Sequence, residues 1–423
     1  MDIVQDELSL VRLRSLILAV EREAVAVSGY INLVANEASM SRVARQFMGS
    51  QFGERYFSGP GNSSGFADFG VFTAMAMPCV DALLQAAISA TRQMLGAAEV
   101  NLNTLSGMHA MTCVLLGISD PGDTIMTLRT EDGGHFATKS VIERIGRKHV
   151  FAVLDSQSGH FNRDATAALV KMHCVKALYL DIMYSVRPFD VKAIRTSLPQ
   201  DVRLVFDASH LVGLILGGAI PSPLRQGADI LCANTHKTLP GPHKGLIAFR
   251  ERCYGEQVNQ RVKSFYSTTH CHHTLALAVA LLEMYHFGAT YASHVVENAN
   301  ALGQALTDLG LRVRRVDDEC FTRTHQLHVD LAQGERYSDL CAKLTRNRIS
   351  VTFTNGLGGG VFMRIGTQEV TRRGMTAPDM QELARLIGGV MKGKDMEREV
   401  RALHDRFPEI RYSFDQDALF SQG

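Results

Sequence analysis

The sequence predicts an α/β protein, with a mainly parallel sheet in a large domain followed by a smaller α+β domain. Between about residues 95 and 250, short apolar runs that end in polar or glycine-rich loops alternate with longer helical patterns. This alternation is typical of parallel strands that are covered by helices on both faces of a sheet. Beyond residue 290 the pattern changes to strand-like runs such as HQLHVDLA and RISVTFT, which predict the second domain.

Three parts of the chain follow from these patterns. Residues 1–28 carry charges spaced among apolar side chains, which predicts an amphipathic helical arm rather than a signal peptide. We expect the large domain over residues 29–289 and the small C-terminal domain over residues 290–423. In such a sheet the ligand site is expected at the carboxyl ends of the strands.

Composition narrows the class of function. The chain has 423 residues, of which 46% are hydrophobic, so it can bury a full core. Its 44 Lys and Arg residues balance 43 Asp and Glu residues, which does not favour binding to nucleic acid or to an anionic membrane. No run of about 18 uncharged apolar residues predicts a membrane span. The 8 cysteines include no CxxC pair, which favours reduced thiols and a cytoplasmic location.

Two predicted strand ends carry reactive side chains. Asp207 ends the run VRLVFD, and Lys237 follows ADILCANTH thirty positions later. A buried lysine is costly unless it is paired or used chemically, and a covalent imine removes its charge. A carboxylate would keep a pyridine nitrogen protonated, so the pair indicates pyridoxal 5'-phosphate. Taken alone, an aspartate before a helix is commonly an N-cap.

Three further positions suit the same cofactor. Ser106 and Gly107 begin an apolar-periodic helix whose free N–H groups could hold a phosphate, although a serine here is commonly a structural N-cap. His135 follows two glycines that permit close approach, so its ring could stack on a planar cofactor, whereas a lone loop histidine is more often a surface residue. Arg364 lies in a predicted strand of the small domain, where its planar fork suits a substrate carboxylate or an ordinary ion pair.

Several segments, taken in order, resemble the pyridoxal phosphate enzymes of the serine hydroxymethyltransferase family. They are LVANEAS, LSGMHA, DGGHFA, FDASHLVGLILGGAIPSPL, NTHKTLPGP and MRIGTQEVTRRGM, spread over residues 30–375. The resemblance implies the aspartate aminotransferase-like fold of type I, with Lys237 as the imine lysine, Asp207 as the partner of the pyridine nitrogen, and a homodimer. It further implies cofactor contacts for Ser106, Gly107, Met108, His135, Ser185, Asp207, His210, Thr235, His236, Lys237 and His270, and substrate contacts for Asn36 and Arg364.

One segment departs from the family pattern. Ordinary members carry a tyrosine and a glutamate before a GKRYYGG-like stretch, where this chain has RQFMGSQFGERYFSG. Aligned without gaps from Arg55 and Tyr56, the glutamate position falls on Gly49 and the tyrosine position on Phe47, while Phe57 replaces a second tyrosine. The missing carboxyl group disfavours folate-dependent hydroxymethyl transfer.

The departures are similar to those of the L-threonine transaldolases of natural-product and antibiotic pathways, as are NTHKTLPGPHKG, EDGGHFA, TRTHQLHV and FPEIRYSFD. This resemblance implies cleavage of the Cα–Cβ bond of L-threonine with release of acetaldehyde. The glycyl quinonoid would then add to a second aldehyde and give a β-hydroxy-α-amino acid. A base must take the β-hydroxyl proton, and the candidates are His135, Tyr56 and a water held by Glu37.

Other functions stay open at this point. A serine or α-methylserine hydroxymethyltransferase and a threonine aldolase are alternatives, and a non-catalytic scaffold is disfavoured because it does not need Lys237, Asp207 and Arg364 together. The segment STTHCHH suggests zinc, but no second pair of ligands follows at metal spacing. By resemblance it is the loop that reaches the cofactor phosphate of the partner subunit. We therefore expect no metal, and amino-acid and aldehyde substrates.

Overall fold

A computed structural model of the chain shows a large sheet of mainly parallel strands and a smaller antiparallel sheet. The structure describes residues 10–56, 66–68, 73–154, 161–265, 267–355 and 360–420. For residues 66–68, 73–75, 355 and 420 it describes the backbone alone.

In chain order the strands are β1 (Ile31–Asn32), β2 (Phe66–Asp68), β3 (Thr73–Met75), β4 (Glu99–Asn101), β5 (Thr124–Thr127), β6 (Lys148–Phe151), β7 (Val175–Asp181), β8 (Arg203–Asp207), β9 (Ile230–Asn234), β10 (Gly245–Phe249), β11 (Arg312–Val313), β12 (Gln326–Asp330), β13 (Ile349–Ser350), β14 (Thr352–Asn355) and β15 (Val361–Gly366). The α-helices are α1 (Leu10–Ser28), α2 (Arg42–Met48), α3 (Pro78–Leu95), α4 (Gly107–Ile118), α5 (Thr138–Arg144), α6 (Arg163–Met172), α7 (Val191–Ser197), α8 (Val212–Leu216), α9 (Arg252–Val262), α10 (Cys271–Asp308), α11 (Tyr337–Arg346), α12 (Gln368–Arg372), α13 (Ala377–Met391), α14 (Glu397–Asp405) and α15 (Gln416–Phe420).

The large sheet has seven strands in the order β4-β10-β9-β8-β7-β5-β6. Strand β10 is antiparallel to both of its neighbours, and the other pairs are parallel. Strand β7 is buried on both faces, since Leu178 and Leu180 pack in one hydrophobic cluster and Ala177 and Tyr179 in another. Such two-sided burial is typical of a parallel sheet covered by helices, so the predicted fold class is confirmed.

The smaller sheet is antiparallel, in the order β11-β12-β15-β14. Its core includes residues of α13 and α14 and also Ile31 and Leu33 from near the start of the chain. Strand β1 pairs in parallel with β13, with Ile31 opposite Ile349. Residues 31–33 therefore pack with the C-terminal core, although they lie within the range predicted for the large domain.

Helix α10 connects the two cores. Leu277 and Leu281 pack in the core of the large sheet, and Leu302 and Leu306 pack in the core of the small one. By length and composition this helix could cross a membrane, but 67% of its apolar stretch is buried inside the protein, as expected for a core helix. The predicted boundary at residue 290 falls within this continuous helix, and the exact domain limits stay a prediction.

Helix α1 lies in the N-terminal segment and packs on no core formed by the described residues. None of its residues is buried. Its exposed apolar side chains include Leu10, Val11, Ile17, Val20 and Val25. Exposed apolar side chains in such number on one helix are typical of a surface that contacts another molecule.

Candidate active site

The carboxyl ends of neighbouring parallel strands form the site. Asp181 ends β7 and Asp207 ends β8, and the two residues lie directly opposite each other in register. The loop after β9 carries Lys237 to the same edge before the chain returns in β10. Because parallel strands end at one edge of a sheet, residues far apart in the sequence meet there.

A cavity of about 170 Å³ lies at this edge. A cavity of about 150 Å³ can hold benzene, so this one has room for a single aromatic ring. Eight of the residues expected to contact a cofactor line it: Ser106, Gly107, Met108, His135, Asp207, His210, His236 and Lys237.

The carboxylate of Asp207 is held by two donors. Its Oδ2 accepts a hydrogen bond from the Tyr179 hydroxyl at 2.7 Å, and its Oδ1 accepts one from the backbone N–H of Ser209 at 2.9 Å. The N-cap of α8 is Leu211, so Asp207 does not cap that helix. The oriented carboxylate at the edge of the cavity suits the protonated nitrogen of a pyridine ring.

The amine of Lys237 lies inside the cavity. Its Nζ is 3.0 Å from Nε2 of His210. With the Asn234 amide oriented to satisfy both of its ends, the amide oxygen accepts from Nζ at 3.0 Å. Burial lowers the pKa of Lys237 to about 8, the charge of Asp207 acts against this shift, and Arg364 adds to it. A lysine that is readily neutral is suited to form an imine.

Asp181 is a site residue that the sequence analysis missed. Its Oδ2 accepts from the backbone N–H of His135 at 3.1 Å, and its buried Oδ1 has no partner among the described residues. Burial and, to a smaller extent, the charge of Asp207 raise the pKa of Asp181 to about 8, against the opposing effect of the nearby Thr138 hydroxyl. The sequence could have indicated this residue, because Asp181 ends an apolar run in the same way as Asp207.

The N-terminus of helix α4 borders the cavity. Ser106 is its N-cap, and its Oγ accepts from the backbone N–H of His109 at 3.1 Å. The serine hydroxyl therefore serves the cap, and the free amides of the first turn are the groups that suit a phosphate. A Cβ at Gly107 would lie 2.7 Å from Cβ of Asn234, so glycine is required here for close approach.

Two histidine rings in the lining are neutral at neutral pH. Burial lowers the pKa of His236 to about 3, with His243 adding to the shift. The rings of His236 and His243 stack with their centroids 3.7 Å apart. Burial also lowers the pKa of His135, against the charge of Asp207. A neutral ring at His135 suits stacking on an aromatic cofactor and exchange of a proton.

Arg364 is a buried cation on the small-domain side. It is 6% exposed, and its Nη2 donates to Oδ1 of Asn36 at 2.9 Å. Its guanidinium lies 5.4 Å from the ring centre of Tyr184. Among the described residues no carboxylate pairs with it. A buried guanidinium with only neutral partners suits the carboxylate of an amino acid, as does the neighbouring amide.

Two of the proposed proton acceptors do not line the cavity within their own chain. Glu37 is exposed, and its Oε2 accepts from Nδ2 of Asn32 at 2.8 Å. Tyr56 is 44% exposed, and its hydroxyl lies 2.6 Å from Oγ of Ser267. His135 is therefore the candidate that the single chain brings next to Lys237.

Three expected cofactor contacts also lie outside the cavity lining. The hydroxyl of Thr235 donates to the carbonyl of Pro242 at 2.5 Å and so shapes the loop. The hydroxyl of Ser185 donates to the carbonyl of Arg187 at 3.0 Å. His270 is exposed and precedes α10 with φ of +54°. Cofactor contacts by these three residues stay predictions.

The segment that departs from the family pattern has a simple local structure. Gly49 is the C-cap of helix α2, and a Cβ at this position would meet none of the described residues within 4 Å. Packing among the described residues therefore does not exclude a side chain at Gly49. Phe47 packs against the core of the large sheet. Phe57 lies outside the described residues.

The histidine-rich segment, residues 267–273, extends into the first turn of α10. The ring centroids of His272 and His273 lie 4.2 Å apart. In the part of the chain that the structure describes, no group of three or more His, Cys, Asp or Glu residues is arranged to bind a metal ion.

The fold and the lined cavity define a type I pyridoxal phosphate enzyme. A buried lysine, a carboxylate and a helix N-terminus, the groups predicted to bind this cofactor, meet at the ends of parallel strands. The sequence profile of the family described as serine hydroxymethyltransferase matches residues 14–387. The chain belongs to this family, and it is a pyridoxal phosphate-dependent transferase.

Individual relatives include both transaldolases and hydroxymethyltransferases. A fluorothreonine transaldolase of Streptantibioticus cattleyicolor is 33% identical over 96% of this chain, and the chain spans 64% of that protein. A serine hydroxymethyltransferase of Methanocella arvoryzae is 30% identical over 92% of this chain and 93% of its own. The crystal structure of an L-threonine transaldolase from Pseudomonas fluorescens, in its internal aldimine state, superposes with a TM-score of 0.86 and 28% identity, covering 100% of this chain and 99% of the other.

Proposed function

We propose that the protein is an L-threonine transaldolase. It would cleave the Cα–Cβ bond of L-threonine, release acetaldehyde and join the remaining glycyl unit to a second aldehyde, giving a β-hydroxy-α-amino acid. The observation that carries this proposal is a site with the groups expected for an amino-acid substrate but without the family's carboxyl group at Gly49, where the described residues leave space for a side chain. The similarity to transaldolases over nearly the whole chain supports it.

Each part of the site has a proposed task. Lys237 would bind the cofactor through an imine, and Asp207 would pair with its ring nitrogen. The backbone amides after Ser106 would bind its phosphate, and the ring of His135 would stack on its ring face. The bound cofactor supplies an electron sink for the carbanion at Cα. Arg364 and Asn36 would bind the substrate carboxylate, which orients the scissile bond.

The proton of the β-hydroxyl is assigned to His135. This ring lines the cavity and is neutral because burial lowers its pKa, so it can accept the proton as acetaldehyde leaves. The same group can return the proton to the oxygen of the second aldehyde as the new bond forms. Tyr56 and Glu37 would serve only if another subunit placed them at this cavity.

We also propose a cytoplasmic homodimer that acts in antibiotic or other natural-product biosynthesis. The exposed apolar face of α1 supports self-association, because a second copy could cover it. Residues 1–28 would then be an arm, residues 29–289 the cofactor domain and residues 290–423 the small domain.

A hydroxymethyltransferase is the second candidate, because a serine hydroxymethyltransferase matches 92% of this chain. The test is acetaldehyde release from L-threonine, followed through a coupled alcohol dehydrogenase without folate and with a panel of acceptor aldehydes. We expect an acceptor to accelerate release and a new β-hydroxy amino acid to form, and Lys237→Ala to abolish both. Folate-dependent turnover of serine without release from threonine would contradict the transaldolase.

A further inference from the structure

A chain of buried hydrogen bonds runs from strand β12 of the small domain to the amine of Lys237. Nε2 of His328 lies 3.3 Å from Oε1 of Gln326, and Nε2 of Gln326 lies 3.3 Å from Nδ1 of His210. Nε2 of His210 then lies 3.0 Å from Nζ of Lys237. Gln326 and His328 are two residues apart and so lie on one face of the strand. Both side chains are buried.

The direction of each hydrogen bond follows from one carbonyl group. Nε2 of Gln326 also lies 3.1 Å from the backbone oxygen of Met183. Since a carbonyl oxygen only accepts, this end of the amide must be the NH₂ group, and the other end must be the oxygen. His328 therefore donates from Nε2, and Nδ1 of His210 accepts from Gln326. The proton of a neutral His210 must then lie on Nε2, which faces Lys237.

We infer that Gln326 is a positioning residue, anchored by Met183 and His328, that holds His210 as its Nε2–H tautomer and so favours the neutral form of the Lys237 amine. An Nε2–H group can donate to the lone pair of a neutral amine, but it opposes an ammonium group, which has no lone pair. The lysine is thereby prepared to form the imine. This inference does not depend on whether threonine is the substrate.

The charged and titratable groups around His210 and Lys237 are compatible with this role of Gln326. Burial lowers the pKa of His210 well below its usual value, so the ring is neutral, as the tautomer argument requires. The groups that face His210 are Lys237, Arg364, His325 and His135, all of which lower its pKa. Lys237 faces Asp207, which raises its pKa, and Arg364, which lowers it, in addition to its own burial. His325 stacks on His210 with ring centroids 6.2 Å apart.

Nitrogen NMR of the holoenzyme, labelled with ¹⁵N at histidine, tests the tautomer directly. The His210 signals are identified by their loss in His210→Asn. We expect the Nε2–H form in the wild type and a mixture of tautomers in Gln326→Leu. In Gln326→Glu the carboxylate would accept from the ring and favour a proton on Nδ1. An Nδ1–H ring in the wild type, or the same tautomer in all three proteins, would overturn the inference.

A kinetic measurement tests the consequence for Lys237. Imine formation needs the neutral amine, so its rate is measured against pH after cofactor is added to the cofactor-free protein. We expect the midpoint to rise by about one pH unit in Gln326→Leu, because protonated lysine is no longer opposed by a fixed donor. His328→Phe retains an aromatic ring beside Tyr184 and Phe362 but loses the donor to Gln326, and we expect a smaller rise.

Gln368→Leu is the matched control. Gln368 is equally buried, but its amide donates to the carbonyls of Val34 and Glu37 and does not contact His210. A loss of general packing would move the midpoint in both glutamine variants, whereas the inferred role moves it only in Gln326→Leu. Equal midpoints for Gln326→Leu and the wild type, or equal shifts in the two leucine variants, would refute a positioning role.

Discussion

Replacing Asp181 by asparagine tests the prediction that this carboxyl group is protonated in the folded protein at neutral pH. The substitution keeps the size of the side chain and an oxygen that accepts from the backbone N–H of His135, but it removes the possibility of a buried charge. Burial raises the pKa of Asp181 from 3.8 to about 8. The charge at Asp207, its neighbour across the sheet, contributes to this rise.

The sign of the effect follows from proton binding. The unfolded chain releases this proton near pH 3.8, whereas the native state keeps it to about pH 8, so between these values the native state binds more protons. The contribution of Asp181 to the free energy of unfolding therefore falls as pH rises through this range. At about 1.36 kcal/mol for each pH unit, the fall from about pH 5.5 to pH 8 is at most about 3 kcal/mol.

Urea unfolding of the cofactor-free proteins at about pH 5.5 and pH 8.5 measures this difference. We expect Asp181→Asn to gain stability relative to the wild type at the higher pH, by about 1.5 to 3 kcal/mol more than at the lower pH. Asp201→Asn is the control, because Asp201 is exposed and should give the same small effect at both pH values. An equal effect of Asp181→Asn at both pH values would show that the native carboxyl group is already ionised, and would refute the reasoning.

Three further experiments test the site and the packing that supports it. Arg364→Lys loses the planar guanidinium group that binds a carboxylate through two hydrogen bonds, so kcat/KM for L-threonine should fall by about 100-fold. The midpoint of urea unfolding should stay the same. An unchanged kcat/KM would contradict carboxylate binding by Arg364. Arg372 and Glu283 form an ion pair of 2.9 Å and are each 1% exposed. In urea unfolding, Arg372→Met alone should lower the free energy of unfolding by about 3–5 kcal/mol, because Glu283 is left as an unpaired buried charge. Adding Glu283→Leu should restore most of this stability. No recovery in the double variant would contradict the buried charge as the cause. Gly107→Ala should weaken cofactor affinity about tenfold or more in an absorbance titration, because its Cβ would lie 2.7 Å from that of Asn234, and an unchanged affinity would contradict the close approach.

The large sheet and the reactive residues at its strand ends could be predicted from local sequence patterns. Asp207 and Lys237 each follow an apolar run, and the ends of parallel strands share an edge, so their meeting could be predicted without knowing the rest of the fold. Ser106 and Gly107 at the start of α4 were accessible for the same reason, since a helix start has a local signature. The segment around β1 was less accessible, because its partner strand β13 lies more than 300 residues away.

The sequence by itself determined the α/β class, the strand ends that carry Asp207 and Lys237, and the absence of a carboxyl group at Gly49. These properties depend on residue type and on short-range spacing. Only the tertiary structure decided that Asn36 accepts a hydrogen bond from Arg364, that Gln326 contacts His210 and that Glu37 does not line the cavity. It also decided that Asp181 is buried, which raises its pKa. A side chain's partners and its pKa depend on which distant segments bury it, and spacing along the chain does not carry that information.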